Sequence, residues 1–158
     1  MISCVVKTTC PSFPSKLLLL KQRNMSTSDK ANGNTWEVEV DKSGSFIRER
    51  SSFRDWVSSE PDAQYPPEDG RYHVYASWAC PWAHRVLMVR ALKGLEDVIS
   101  VSFVGPLLDE RGWGFTEEHS LGLDGCTEDH VFGYDRLREV YFQCCEDYTG
   151  RITVPALF

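Results

Sequence analysis

Cys80 stands in the run Ser77-Trp78-Ala79-Cys80-Pro81-Trp82-Ala83, and a thiol in that setting is suited to act as a nucleophile. A strand pattern precedes it and a helix pattern follows it. The sulfur therefore falls at a helix amino terminus, where unpaired backbone N–H groups and the helix dipole favour the thiolate over the thiol. The other cysteines, at positions 4, 10, 126, 144 and 145, make neither a Cys-x-x-Cys pair nor a Cys/His spacing for zinc. The chain is read as having no disulfide framework and no metal. Arg85 and His84, one turn on, are read as surface residues and given no catalytic role. The competing reading of Cys80 itself is a buried structural cysteine.

A dithiol oxidoreductase would place its second cysteine where this chain has Ala83. Alanine cannot attack a mixed disulfide, so release needs a thiol from outside. Glutathione is the obvious one, and the expectation is a monothiol cycle: Cys80 is glutathionylated and a second glutathione, as co-substrate, frees it. Val154-Pro155 is the other half of the pattern. A fold of the thioredoxin type sets a cis-proline across from the cysteine. The N–H and C=O of the residue before it are then free to pair with a peptide-like ligand as an added strand.

The elements that must position these groups follow from periodicity. Tyr72, Val74 and Ala76 alternate with His73 and Tyr75 and predict a strand ending just before Cys80. Pro81 suits the first position of a helix that Ala83, Val86, Leu87, Val89, Arg90 and Leu92 carry to Gly94. The β-branched stretch 98–104 predicts a second strand, parallel to the first through a right-handed crossover. Residues 105–130 read as a long loop bearing Gly112-Trp113-Gly114-Phe115, which makes Trp113 a site candidate. Leu137, Val140, Tyr141 and Cys144 form the stripe of a second helix within 135–148, with Gly150 as its stop. Residues 153–158 begin a third strand, interrupted by Pro155, and no strands follow to cover that edge. The expectation is an α/β chain, βαβ-α-β, that stops in mid-domain.

Composition bounds the rest. A chain of 158 residues with 42% hydrophobic and 25% charged residues has the balance of one globular domain. The longest purely aliphatic run is the four leucines at 17–20, far short of the roughly 18 apolar residues of a membrane span, so no membrane role is expected. The first 28 residues hold Lys7, Lys16, Lys21 and Arg23 and no acid, so the remainder carries the −10 that brings the chain to −6. That basic leader resembles an organelle transit peptide, with plastid import set against a plain tail and a cytoplasmic form started at Met25. The acidic remainder lacks the clustered Lys and Arg of a nucleic-acid face. Residues 29–66 read as an irregular arm with one short helix, whose Phe46, Phe53 and Trp56 pack onto the domain at 67–158.

Four segments together resemble the glutathionyl-hydroquinone reductases, the Xi class of glutathione transferases: the run from Tyr75 to Arg85, Leu92-Lys93-Gly94-Leu95, Gly112-Trp113-Gly114-Phe115, and the run from Tyr148 to Pro155. The resemblance spans about residues 45 to 158. It implies a thioredoxin-like first domain followed by an all-helical second one, a homodimer in the full-length form, and reductive removal of glutathione from glutathionylated hydroquinones, aromatic small molecules, with Cys80 as nucleophile. It also implies that glutathione is held by Trp113 and the run Arg151, Ile152, Thr153, Val154 and Pro155. In that picture Trp113 lies against the ligand, Arg151 meets its carboxylate and Val154 pairs with its cysteinyl backbone. A lid packed on the domain edge is the competing role for Trp113. The family's Glu-Ser pair and later helices have no counterpart here, so the chain is read as truncated before its last strands and helical domain. Two other readings stand beside this one. One is an Omega-like thiol transferase or dehydroascorbate reductase, and the other is an inactive glutathione-binding fragment.

Overall fold

The computed structural model describes residues 40–47 and 51–158. The leader at 1–28, with its transit-peptide expectation, lies outside the described residues, as do 29–39 and 48–50 of the arm.

Strand β1 (Tyr72–Ala76) leads through Cys80 into helix α1 (Pro81–Leu92), and strand β2 (Ile99–Phe103) follows. A short hairpin of β3 (Leu108–Asp109) and β4 (Gly112–Trp113) comes next, then helix α2 (Leu137–Cys144) and strand β5 (Ala156–Leu157). The main sheet has the order β2-β1-β5. β1 runs parallel to β2, with Tyr72 opposite Ile99 and Ala76 opposite Phe103, and antiparallel to β5, with Tyr75 opposite Ala156.

Helix α1 starts with Pro81, whose missing N–H falls where none is needed, and no acidic side chain occupies its first turn. It closes at Gly94, whose φ of 62° is the left-handed conformation a helix stop requires. Arg90 then ties that end to the sheet, its Nε donating to the Ile99 carbonyl at 2.6 Å and its Nη2 to that of Glu96 at 2.8 Å. In α2 the Glu139 carboxylate reaches back to the Arg136 N–H at 3.0 Å and satisfies one of the orphan donors of the first turn.

All five residues of β1 are buried, so both of its faces are covered. Val74 and Ala76 pack with Ala83, Val86 and Leu87 of α1. Tyr75 joins Leu137, Val140 and Tyr141 of α2 in a second cluster with Trp113 and Phe115.

Several expectations need correction. Helix α2 does not run on to Gly150. Cys145 is extended, with φ −152° and ψ 103°, and the turn beyond it brings Tyr148 to stack on Phe53 at 5.2 Å. The stretch expected as pure loop contains the β3-β4 hairpin and a short 3-10 turn at Glu117–His119. Of the three groups expected to pack onto the domain, Phe53 does so, while Phe46 and Trp56 stay 54% and 60% exposed; Tyr65, not singled out, is buried against Tyr72. No helix forms among the described residues of the arm.

Candidate active site

Cys80 is the residue that caps α1, and its backbone holds the turn while its sulfur is left for other work. Its N–H donates to the Ser77 carbonyl at 3.1 Å, and its own carbonyl accepts from His84 at 3.0 Å. The Ala79 N–H donates to the buried Ser77 hydroxyl at 3.3 Å. The sulfur makes no cap bond. Instead Sγ donates to the carbonyl oxygen of Val154 at 3.3 Å. The Val154-Pro155 peptide is cis. Register explains the meeting: Tyr75 pairs with Ala156, so the chain leaving the end of β1 and the chain entering β5 emerge at the same edge of the sheet.

Ala83 is fully buried against Val74 and Ala76, so a methyl group fills the place a resolving thiol would take. The other described cysteines have different settings. Burial, with a smaller contribution from Cys145, pushes the Cys144 thiol up to about 12, and Sγ donates into its own helix at Val140. Burial also raises Cys126, which donates to the Phe115 carbonyl. Cys80 is the thiol that meets the proline loop.

The remaining predicted site residues are spread along one path. Val154 is buried in the cluster that contains Trp113, and Cys80 packs against that cluster. Trp113 is only 8% exposed and packs in the core of the domain. Ile152 is buried in the same core. Thr153 is exposed, but both of its backbone groups are engaged by the Tyr141 hydroxyl, which accepts from the N–H at 3.3 Å and donates to the C=O at 2.8 Å. Arg151 is exposed, and its carbonyl accepts from the Tyr148 hydroxyl at 2.9 Å.

Residues that motif spacing did not single out hold this arrangement. Asp109 accepts the Arg111 N–H on one oxygen at 2.8 Å and Arg136 Nη1 on the other at 2.7 Å. The same nitrogen of Arg136 lies 2.7 Å from His119 Nε2, which also lies 3.2 Å from that Asp109 oxygen, and His119 Nδ1 pairs with the Thr116 hydroxyl at 2.8 Å. Burial pushes the Asp109 carboxyl up, but the bonds from Arg136, His119 and the Arg111 N–H outweigh it and hold the group at about 2. This cluster fastens the β3-β4 hairpin, and with it Trp113, to the start of α2. Arg85 is stacked on Trp82 at 4.8 Å, in keeping with a surface role.

A cavity elsewhere on the chain is lined by Glu117, Asp124 and Glu128 beside Cys126 and Thr127. Its carboxylates would repel an anionic ligand, and neither Cys80 nor Val154 is part of its wall. Among the described residues no three His, Cys, Asp or Glu side chains are grouped to hold a metal ion, and no helix is long and apolar enough to cross a membrane.

Comparison with known proteins points to the same half of the molecule. The family description "Glutathione S-transferase, N-terminal domain" matches residues 79–158. The glutathionyl-hydroquinone reductase PcpF of Sphingobium chlorophenolicum is 45% identical over 123 residues, which is 78% of this chain and 36% of that protein. The glutathione S-transferase omega-like 2 of Schizosaccharomyces pombe is 46% identical over 117 residues, 74% of this chain and 36% of its own length. Among solved structures, a Xi class transferase from Natrialba magadii superposes with a TM-score of 0.63 at 55% identity, covering 68% of this chain and 32% of that one. The chain thus spans about a third of the length of the curated relatives it matches.

Proposed function

Because this chain belongs to the glutathione S-transferases through their amino-terminal, thioredoxin-like domain, we propose that it carries the thiol half of a glutathione-dependent reductase acting on glutathionylated hydroquinones. The observation that carries the reading is the 3.3 Å approach of Cys80 Sγ to the Val154 carbonyl at the start of α1. A peptide-like ligand pairing with the backbone of Val154 brings its own cysteinyl sulfur to the Cys80 sulfur.

In the proposed cycle the Cys80 thiolate attacks the sulfur of the glutathionyl group on the aromatic ring. The new Cys80–glutathione disulfide forms as the carbon–sulfur bond breaks, and the ring carbon takes that electron pair and a proton to leave as hydroquinone. A second glutathione thiolate then attacks the mixed disulfide, oxidised glutathione departs, and Cys80 returns to its starting state. The helix amino terminus meets the sulfur anion of each step without an opposing acidic side chain in the first turn. Trp113 and Arg151 are the proposed contacts for the rest of the ligand.

The test is Cys80→Ser assayed with a glutathionylated hydroquinone. The chain with Cys80 is expected to release hydroquinone and oxidised glutathione one for one, and the variant to release neither. Equal release from both would refute the role of this sulfur. The similarity to an omega-like transferase supports a second reading, an Omega-like thiol transferase or dehydroascorbate reductase. Direct competition between the hydroquinone conjugate and dehydroascorbate ranks the two. We extend the proposal to a homodimer for the longer form and to organelle import by the basic leader, which a fluorescent fusion to residues 1–28 would report.

A further inference from the structure

Helix α2 carries no reacting group, yet it holds the proline loop through one hydroxyl. Tyr141 is 1% exposed, and its oxygen closes on both backbone groups of Thr153, at 2.8 Å to the C=O and 3.3 Å to the N–H. Thr153 immediately precedes Val154, whose carbonyl faces the Cys80 sulfur. Thr153 is otherwise solvent-facing, and its side chain packs into no core. A two-residue strand, β5, begins only after the proline. The segment before that proline lies outside any sheet ladder: Ile152 and Val154 are buried on either side of Thr153, and the Tyr141 hydroxyl holds the Thr153 backbone between them. The ring is seated by Leu137, Val140 and Phe53 in the core, so the oxygen has little freedom to follow a drifting loop.

We propose that Tyr141 is a positioning residue for glutathione: by gripping Thr153 it presents the Val154 backbone to the ligand at the height of Cys80. The inference rests on the reading that Val154 pairs with glutathione. It concerns recognition of the peptide and leaves the intrinsic reactivity of the sulfur alone. Losing two hydrogen bonds to one oxygen is expected to weaken the ordering of the loop by roughly tenfold.

The experiment compares Tyr141→Phe with Tyr72→Phe in the full chain. Tyr72 is an equally suitable target for the same chemical change, because its buried hydroxyl also grips a backbone carbonyl, that of Pro66 at 2.6 Å, at the far end of β1. Each protein is treated with oxidised glutathione and, separately, with iodoacetamide. In the first reaction the Cys80 thiolate attacks one sulfur, the disulfide of the reagent breaks, and a glutathione thiolate leaves as the Cys80 mixed disulfide forms. Tyr141→Phe is expected to slow this glutathionylation about tenfold while iodoacetamide alkylation of Cys80 stays unchanged. Tyr72→Phe should change neither. Equal loss in both reactions, or an equal effect of Tyr72→Phe, would mean a merely structural hydroxyl and overturn the proposal. So would an unchanged glutathionylation rate. If the unmodified chain reacts with oxidised glutathione no faster than with a non-peptide disulfide, the reading of Val154 fails instead. Amide exchange covers a variant that does not fold: the Thr153 N–H of the unmodified chain should be slow to exchange, and free exchange there would sink the role of Tyr141 by itself.

Discussion

Helices α1 and α2 pack on opposite sides of β1, and they are fixed there in different ways. Of the twelve residues of α1 only Ala83 is fully buried, while Trp82, Met88, Val89 and Leu92 are largely exposed. The helix is apolar around most of its circumference, so no single face dominates; Ala83, Val86 and Leu87 pack on β1, and Arg90 ties the far end to the sheet. Helix α2 is shorter but buries Leu137, Arg138, Val140 and Tyr141. It fastens the Trp113 hairpin through Arg136 and the proline loop through Tyr141. The contrast separates two tasks. One helix carries the proposed nucleophile at its start, and the other holds the hairpin and the proline loop that face it.

The comparison is open to attack, first through stability. Leu137→Ala removes a fully buried side chain from the α2 cluster and is expected to cost about 2–5 kcal/mol in urea unfolding. Val86→Ala, in the half-buried inner face of α1, should cost only about 1 kcal/mol. Equal losses would break the asymmetry.

Acid provides the next largest effect. Burial is the main cause that lowers His73 from 6.5 to about 4, and its ring nitrogens are engaged by Ser100 at 2.7 Å and Ser102 at 2.9 Å. The unfolded chain therefore takes a proton that the folded chain refuses. Stability is complete above the unfolded value, declines as pH falls from about 6.5 to about 4 and then levels off, with a total on the order of 3 kcal/mol. Asp109, held at about 2, adds a separate loss only below its unfolded value near 3.8. A urea midpoint that stays flat between pH 6.5 and 4 would contradict the burial of His73.

The smallest effect has the opposite sign. Arg138 is 8% exposed, and its Nε and Nη2 atoms have no hydrogen-bond acceptor among the described residues; its guanidinium lies 5.4 Å from the centre of the Phe142 ring. Arg138→Met keeps the volume and removes an uncompensated charge, so thermal melting should rise, by the equivalent of about 1 kcal/mol. A lower melting temperature would show that the cation is worth more to α2 than its burial costs.

Local signals were enough for the frame around Cys80. Pro81 and Gly94 bracket α1 because each acts through its own backbone, and the alternation from Tyr72 to Ala76 gives β1 directly. The stripe at Leu137, Val140, Tyr141 and Cys144 located α2. Its end escaped notice because Cys145 leaves the helix to satisfy a tertiary contact, the stacking of Tyr148 on Phe53, that no neighbouring residue announces. The hairpin at Trp113 has strands of two residues each, too short for any period to register. The clamp of Asp109, His119 and Arg136 joins residues 10 to 27 positions apart. The grip of Tyr141 on Thr153 spans 12. Such pairs are dictated by the fold, and only the fold reveals them. The meeting of Cys80 with Val154 was legible because the Cys-Pro turn and the Val-Pro pair, the latter a weak signal by itself, lie at adjoining ends of paired strands.

Strand β1 is covered on both faces and laddered along both edges, by all of β2 on one side and by β5 and the paired backbones of His73 and Phe158 on the other. Amide protons in such a strand are released only when the whole domain opens. The Cys80 sulfur is thus mounted four residues beyond a strand held along both edges, and Val154 faces it from a segment seated in the core, so the two meet like the jaws of a vice on one rigid frame.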